Sequence, residues 1–251
     1  LPQGIDQRSP ARHPDWLGPD DLAVKIEQIR EATDWRVPVH VKLGACRVDD
    51  DVKLAAKAGA DAIVIDSMVA GTGASAEVLI EHSGIPTVPA IVMAREALRE
   101  LGLYGKVSLI ASGGIRHGAD AAKALALGAD AVAIGLGALI ALNCNKEIPE
   151  SNFREEIGVE AGFCHHCHTG KCPVGIATQD PLLTKRLDPD EGAERVANYI
   201  NSMTMEMTLL TRSLGKSDVH SLEPEDLAAL TLEASAMARI PLVGTNKVFG
   251  E

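Results

Sequence analysis

An α/β fold of repeated strand–helix units is what this sequence predicts, and three observations carry the expectation. Residues 55–66 (AAKAGADAIVID) are echoed at 124–135 (ALALGADAVAIG), each the end of an apolar helix, a Gly turn and a short β-branched run. The offset is 69 residues, or three units of 23, the length of one strand plus one helix with short loops. The candidate strands are apolar runs without clean alternation, as expected when both faces of a sheet are covered. At 251 residues the chain is also long enough to bury one large core.

The elements follow in order. Gly18-Pro-Asp-Asp opens a helix over Leu22–Glu31, with Pro and acids in its first turn. Val39–Leu43 reads as the first strand and Asp50–Ala58 as its helix. The Asp49-Asp50-Asp51 run suits that helix's N-terminus, where negative charge is favoured. Ala62–Asp66 is the second strand and Ala76–His82 a helix. Ile85–Ile91 is a weaker third strand, because Pro86 and Pro89 interrupt its ladder. Arg95–Leu101 is a helix closed by Gly102, Val107–Ala111 a fourth strand, Ala119–Leu127 its helix, and Ala131–Ile134 a fifth strand. Five such units fall short of a closed eight-stranded barrel, and the first 35 residues or so hold no good strand. The expectation is therefore a partial barrel whose missing strands precede Leu1. Residues 1–143 form the barrel part, 144–181 a cysteine-bearing segment, and 182–251 a helical extension packing on the barrel. That extension is read as two helices, Asp190–Leu214 and Ser221–Met237.

Composition excludes several functions. A net charge of −11 with no Lys/Arg-rich run argues against nucleic acid or an anionic membrane as partner. A hydrophobic share of 46% is too high for a disordered chain. Asp, Glu or Lys interrupts every apolar run before it reaches membrane-spanning length. Aromatic residues are 3%, so stacking platforms are not a main binding mode. Nothing near Leu1 reads as a signal peptide, and three of the five cysteines lie within nine residues. The reading is a cytoplasmic chain whose cysteines serve a metal or redox role, not a disulfide framework.

Four constellations carry chemistry. Cys164-x2-Cys167-x4-Cys172-Pro173, with Cys144 upstream, lets several thiolates converge on one inorganic centre. A last Cys followed by Pro suits an iron–sulfur cluster. Zinc is the rival, since tetrahedral sites also use C-x2-C and His165, His166 and His168 are at hand. Next, Ser112-Gly113-Gly114 and Gly135-Leu136-Gly137 end two successive strands, where glycines let backbone N–H groups approach a phosphate. Neither matches a dinucleotide fingerprint. Third, Lys42 stands in the apolar run VHVKLG at a strand's C-terminal end, where barrels place their chemistry. Last, the loop DSMVAGTGAS offers Gly71, Thr72, Gly73 and Ser75 to a ligand, with capping of the next helix as the plain alternative.

VKLG, GTGAS, SGGI, GADAVAIG and CHTGKCPVGIATQDP, taken together, resemble the FMN and iron–sulfur domain of glutamate synthase over roughly Pro10 to Gly215. The resemblance implies a (β/α)8 TIM barrel of which this chain holds strands four to eight, with an Fe–S loop and the helical C-terminal extension. It implies FMN and an iron–sulfur cluster within a larger complex. The implied reaction makes glutamate: ammonia and 2-oxoglutarate give 2-iminoglutarate, which reduced FMN converts by hydride transfer. Lys42 matches the family lysine beside flavin and oxo-acid. Ser112, Gly113, Gly114, Gly135 and Gly137 match FMN phosphate loops, with Gly71, Thr72 and Gly73 beside them. Cys144, Cys167 and Cys172 match cluster ligands, and Cys164 adds a fourth. The family cluster is [3Fe–4S], and four cysteines permit [4Fe–4S].

The chain departs from the family at Gly44-Ala45-Cys46 and in the 66–76 loop, both where substrate should sit. The flavin subunit of N-methylglutamate synthase, which handles methylamine, fits these departures equally well. Neither an N-terminal Cys nor a NAD(P) fingerprint is present, so electrons are expected from electron-donor subunits or domains, and ammonia or amine from glutaminase-like subunits or domains or from solution. From another functional class, an electron-relay or assembly subunit and a zinc-stapled barrel binding a phosphorylated metabolite are the alternatives.

Overall fold

The computed structural model describes residues 9–144 and 166–250. Helix α1 (Pro19–Ala32) has Pro at its start and Asp20 and Asp21 in its first turn. Strand β1 (His40–Gly44) leads to α2 (Val48–Lys57), whose first turn holds Asp49, Asp50 and Asp51. Strand β2 (Ala62–Asp66) is followed by two helices, α3 (Glu77–His82) and α4 (Thr87–Glu100). Then come β3 (Ser108–Ser112), α5 (Gly118–Ala126), β4 (Ala131–Ala133) and α6 (Leu136–Ala141). A 25-residue helix, α7 (Pro189–Ser213), is capped by Asp188, whose carboxylate accepts the N–H groups of Asp190 and Glu191. A short helix, α8 (Leu232–Ala238), lies near the end. No helix among the described residues is long and apolar enough to cross a membrane.

The four strands are all parallel, in the order β1-β2-β3-β4. Each new strand is added on the same side of the last, so the sheet never reverses direction. Parallel crossovers share one hand, and a sheet that grows one way therefore carries its helices on one face. The packing agrees: α2 lies on β1 and β2, α4 on β2 and β3, and α5 on β4. This is the winding of a barrel rather than of a doubly wound sheet.

The register sorts the residues into rows. Val41, Ile63 and Leu109 stand abreast, buried beneath the helices with Ile65 and Ala111. Their partners there include Val48, Val52, Ile91, Val92 and Leu98. Lys42, Val64, Ile110 and Ala131 form the neighbouring row on the opposite face, and none of these is fully buried. The even cover on both faces expected from the apolar strands is therefore absent among the described residues. The second face is the one a closed barrel would turn inward.

The echo between 55–66 and 124–135 has a structural counterpart. Gly59 and Gly128 both take positive φ, +100° and +114°, to turn from helix into strand. In the first copy the Asp61 carboxylate accepts the N–H of Val39 at 2.7 Å. In the second the Asp130 carboxylate accepts the N–H of Leu109 at 2.7 Å. Each acid thus ties the start of its own strand to the strand before it.

Three sequence expectations are corrected. Ile85–Ile91 is not a strand but the entry to α4, with Pro86 at the N-cap and Pro89 in the first turn. A first-turn N–H has no intrahelical partner, so proline costs nothing there. The 69-residue offset therefore spans two strand-to-strand steps, one doubled in length by the α3–α4 pair, and not three. Consequently the described residues hold four strands in place of the five assigned as strands four to eight. Ser221–Met237 is not one helix either. It breaks into 3-10 turns at Val219–Ser221 and Pro224–Asp226 before α8.

Helix α7 packs across α5 and α6. It crosses α5 at Gly118, whose N–H donates to Glu206 Oε2 at 2.6 Å. A Cβ at Gly118 would fall on the Met203 carbonyl and 2.6 Å from Glu206 Cβ. Gly118→Ala is therefore expected to destabilise the fold by about 1–3 kcal/mol, the usual cost of overpacking. Chemical denaturation checks this, and an unchanged midpoint would show that α7 yields freely.

Candidate functional site

The C-terminal ends of the four strands form a rim. Gly44, Asp66, Ser112 and Ala133 stand abreast there. The rim continues past the strands through backbone bonds from Ala45 N–H to Asp66 O and from Ser67 N–H to Ser112 O, at 2.8 and 3.0 Å. Lys42 lies one row below on the same face, with its side chain 56% exposed. Its ammonium stands 3.2 Å from Asp66 Oδ1. That oxygen is buried and takes part in no directed hydrogen bond among the described residues. The pair is thus an ion contact without hydrogen-bond alignment.

A hydroxyl chain braces the rim. Thr87 Oγ1 donates to Gly113 O at 2.8 Å, and Ser67 Oγ lies 2.7 Å from Thr87 Oγ1. Thr87 has one proton and spends it on the carbonyl, so Ser67 is the donor in the second bond. Gly113 has φ +117°, and a Cβ there would collide with Ser67 Oγ. Glycine is required on both counts. No hydrogen bond among the described residues engages the N–H of Gly113 or of Gly114, and unengaged amides in a tight turn suit an anion.

The second glycine pair is held by α7. Gly135 caps α6, and a Cβ on Gly137 would run into the Tyr199 hydroxyl. Tyr199 donates to Arg116 O at 2.8 Å, just after the first glycine loop. Burial, then the carboxylates of Asp120 and Glu206, push the Tyr199 phenol above its ordinary pKa, so it stays a neutral donor. One side chain of α7 thus touches the second glycine loop and the backbone that follows the first.

In the loop after β2, Thr72 Oγ1 accepts the N–H of Ala74 at 3.2 Å, and Thr72 O accepts that of Ser75. The Thr72 hydroxyl is used within its own turn. Gly71 packs on Ile80. Gly73 meets the cysteine segment, for a Cβ there would lie 3.1 Å from Cys167 Cβ and Sγ. Beside it the buried His168 donates from Nδ1 to Gly73 O at 3.2 Å. The cysteine loop is closed on itself by Thr178 Oγ1 to Gly170 O and by Arg186 Nη1 to Pro173 O.

Cys167 is exposed, Cys172 buried and Cys144 half-buried. Leu142 and Asn143, next to Cys144, share a narrow crevice with Val174 and Arg186, beyond Cys172. Cys164 and His165 lie outside the described residues. Among the described residues no three His, Cys, Asp or Glu groups are arranged to hold a metal.

A family model describing the conserved region in glutamate synthase matches residues 1–149 and 154–217. The chain belongs to the glutamate synthase family. A "glutamate synthase large subunit-like protein" of Rhizobium meliloti is 54% identical over 98% of this chain and 55% of its own length. An "archaeal glutamate synthase [NADPH]" of Methanocaldococcus jannaschii is 44% identical over 88% of this chain and 40% of its own. An "archaeal-type glutamate synthase [NADPH]" of Thermotoga neapolitana is 43% identical, with similar coverage. The chain thus spans about half the length of the curated relatives it matches.

Within this family member the sequence left several rim residues unmarked. Ser67 and Thr87 are 20 positions apart, and only the fold joins them. Asp66 was visible as a strand end but not as the neighbour of Lys42. In the sequence His168 stands out only as a zinc ligand, whereas one ring nitrogen binds the Gly73 carbonyl. Tyr199 carries no local signal at all. Thr87→Val keeps the shape but strips the brace, leaving Gly113 O and Ser67 without their partner. A loss of about 1–3 kcal/mol in denaturation is expected from those unmet groups. Undiminished stability would mean water replaces the hydroxyl.

Proposed function

We propose that this chain is the flavin- and iron–sulfur-bearing part of a glutamate synthase-type oxidoreductase. The observation that carries the reading is the docking of Cys167 and His168 on Gly73. It puts the cysteine segment against the loop that leaves the strand next to Lys42. FMN, when bound, supplies hydride transfer, and a cluster supplies single electrons. The Gly113–Gly114 turn fits a flavin phosphate, being a cradle that a Cβ would fill and whose two N–H groups have no hydrogen-bond partner among the described residues. The Gly135–Gly137 turn, next along the rim, offers a second set of amides. For the cluster the fit is incomplete. The donors are thiols of the right kind, but no three of them converge among the described residues. Iron content decides that assignment.

In this reading Lys42 presents its ammonium at the rim, where it binds a carboxylate of 2-oxoglutarate or offsets negative charge that develops during reduction. The buried helix-side core and the Ser67–Thr87–Gly113 brace hold the rim still, so that charge is in place before substrate arrives. Ammonia and electrons are supplied by glutaminase-like and electron-donor subunits or domains, or, for ammonia, from solution.

A visible spectrum of the purified protein, with flavin, iron, sulfide and zinc assayed on the same sample, tests the reading. Flavin bands over a broad sulfide-to-iron absorption are expected. A colourless protein holding zinc would overturn it. Lys42→Ala is expected to retain FMN while turnover falls about 10²-fold, as for the loss of one preorganised charge. Unchanged turnover removes Lys42 from the chemistry. Cys172→Ser is expected to lower iron content with flavin retained, and unaltered iron would exclude that thiol as a ligand.

A further inference from the structure

We propose that Asp66 is the positioning residue for Lys42, setting where the ammonium stands at the rim; the inference rests on the proposed role of Lys42. Three observations carry it. The first is register. Gly44 is opposite Asp66 and Lys42 is opposite Val64, so Lys42 and Asp66 are diagonal neighbours on one face. Diagonal partners are within reach of long side chains.

The second is the difference in restraint between the two groups. Asp66 is held by its place in β2, by its carbonyl's bond to Ala45 N–H, and by the adjoining Ser67–Thr87–Gly113 chain. Its side chain is 24% exposed against 56% for Lys42. A long, mostly solvated lysine has many rotamers of similar energy. The fixed partner therefore sets the position of the mobile one. The third is the unmet need of Asp66 Oδ1. A buried carboxylate oxygen without a hydrogen bond is costly, and the ammonium 3.2 Å away is the cation placed to relieve it.

The consequence is that Asp66 acts through Lys42 and not by itself. The test is a double-mutant cycle on the flavin-loaded protein with Asp66→Asn, Lys42→Met and the double variant. Flavin content, kcat/KM for 2-oxoglutarate, and the Kd of 2-oxoglutarate read from the flavin spectrum are measured for each. Asp66→Asn is expected to keep its flavin and to lose about 10-fold to 100-fold in kcat/KM, the scale of a misplaced group. The double variant is expected to be no worse than Lys42→Met alone, in both kcat/KM and Kd. A merely structural role for Asp66 would make the two losses multiply, and that result overturns the proposal. So does an Asp66→Asn protein with wild-type kinetics. Should Asp66→Asn fail to fold, Asp66→Glu decides: it keeps the charge but displaces it. A loss in kcat/KM at normal thermal stability supports the proposal, whereas unchanged kinetics overturns it. A wild-type protein without flavin defeats the functional reading instead, and is told apart by the flavin assay alone.

Discussion

The rest of the structure depends on two carboxylates that fasten strands by their backbone. Asp61 and Asp130 each accept an N–H from the start of the preceding strand. Each follows a glycine in a left-handed conformation that turns the chain out of its helix. A strand slipped by one residue turns every side chain to the wrong face. A parallel sheet with exposed positions on one face has less apolar area to correct such a slip. Two directed bonds, each from a backbone amide to a carboxylate, replace that missing correction. With the register held, Gly44, Asp66, Ser112 and Ala133 finish at one height, and Lys42 finishes beneath them. A rim of polar groups and glycines exists only because of that alignment.

Helix α7 lies over α5 and α6, and Tyr199 bridges the two glycine-bearing turns from outside. Gly118 and Gly137 have no side chains because α7 occupies the space. These glycines thus serve two purposes that look alike in sequence. Gly113 and Gly114 leave their amides without a hydrogen bond among the described residues, whereas Gly118 and Gly137 admit a helix. Only the neighbouring atoms separate the two.

Much of the fold was legible in the sequence because it is repeated. The GADA echo marks two equivalent helix-to-strand turns, and both behave alike. What the repeat concealed was the α3–α4 insertion, since its length is close to one whole unit. Pro86 and Pro89 were read as ladder breakers in a strand, although proline is equally at home in a helix's first turn, and the apolar residues around them suit either element. The stretch before α8 was misread for a related reason. Its Glu-Pro-Glu-Asp start satisfies a capping pattern, but that pattern closes a single 3-10 turn. On the site, Lys42, Gly113 and Gly73 could be singled out because their residue types are unusual where they stand. Ser67, Thr87 and Asp66 could not, because a serine, a threonine and an aspartate near loops are ordinary until the fold brings them together.

The placement of the cysteine segment follows from the same rim. The loop after β2 runs from Ser67 to Ala76, and Gly73 within it meets Cys167 and His168. Gly73 offers a carbonyl to His168 and no side chain to Cys167, so the two segments meet at van der Waals distance. Any larger residue at 73 would have to push the thiol away. Asp66 and Gly73 belong to one continuous stretch, residues 66–73, with the lysine contact at one end and the cysteine contact at the other. A shift of that stretch therefore moves both contacts together. Ser67, next to Asp66 at the lysine end of this stretch, is tied to Thr87. The hydroxyl brace thus joins the lysine end of this stretch to the Gly113 turn.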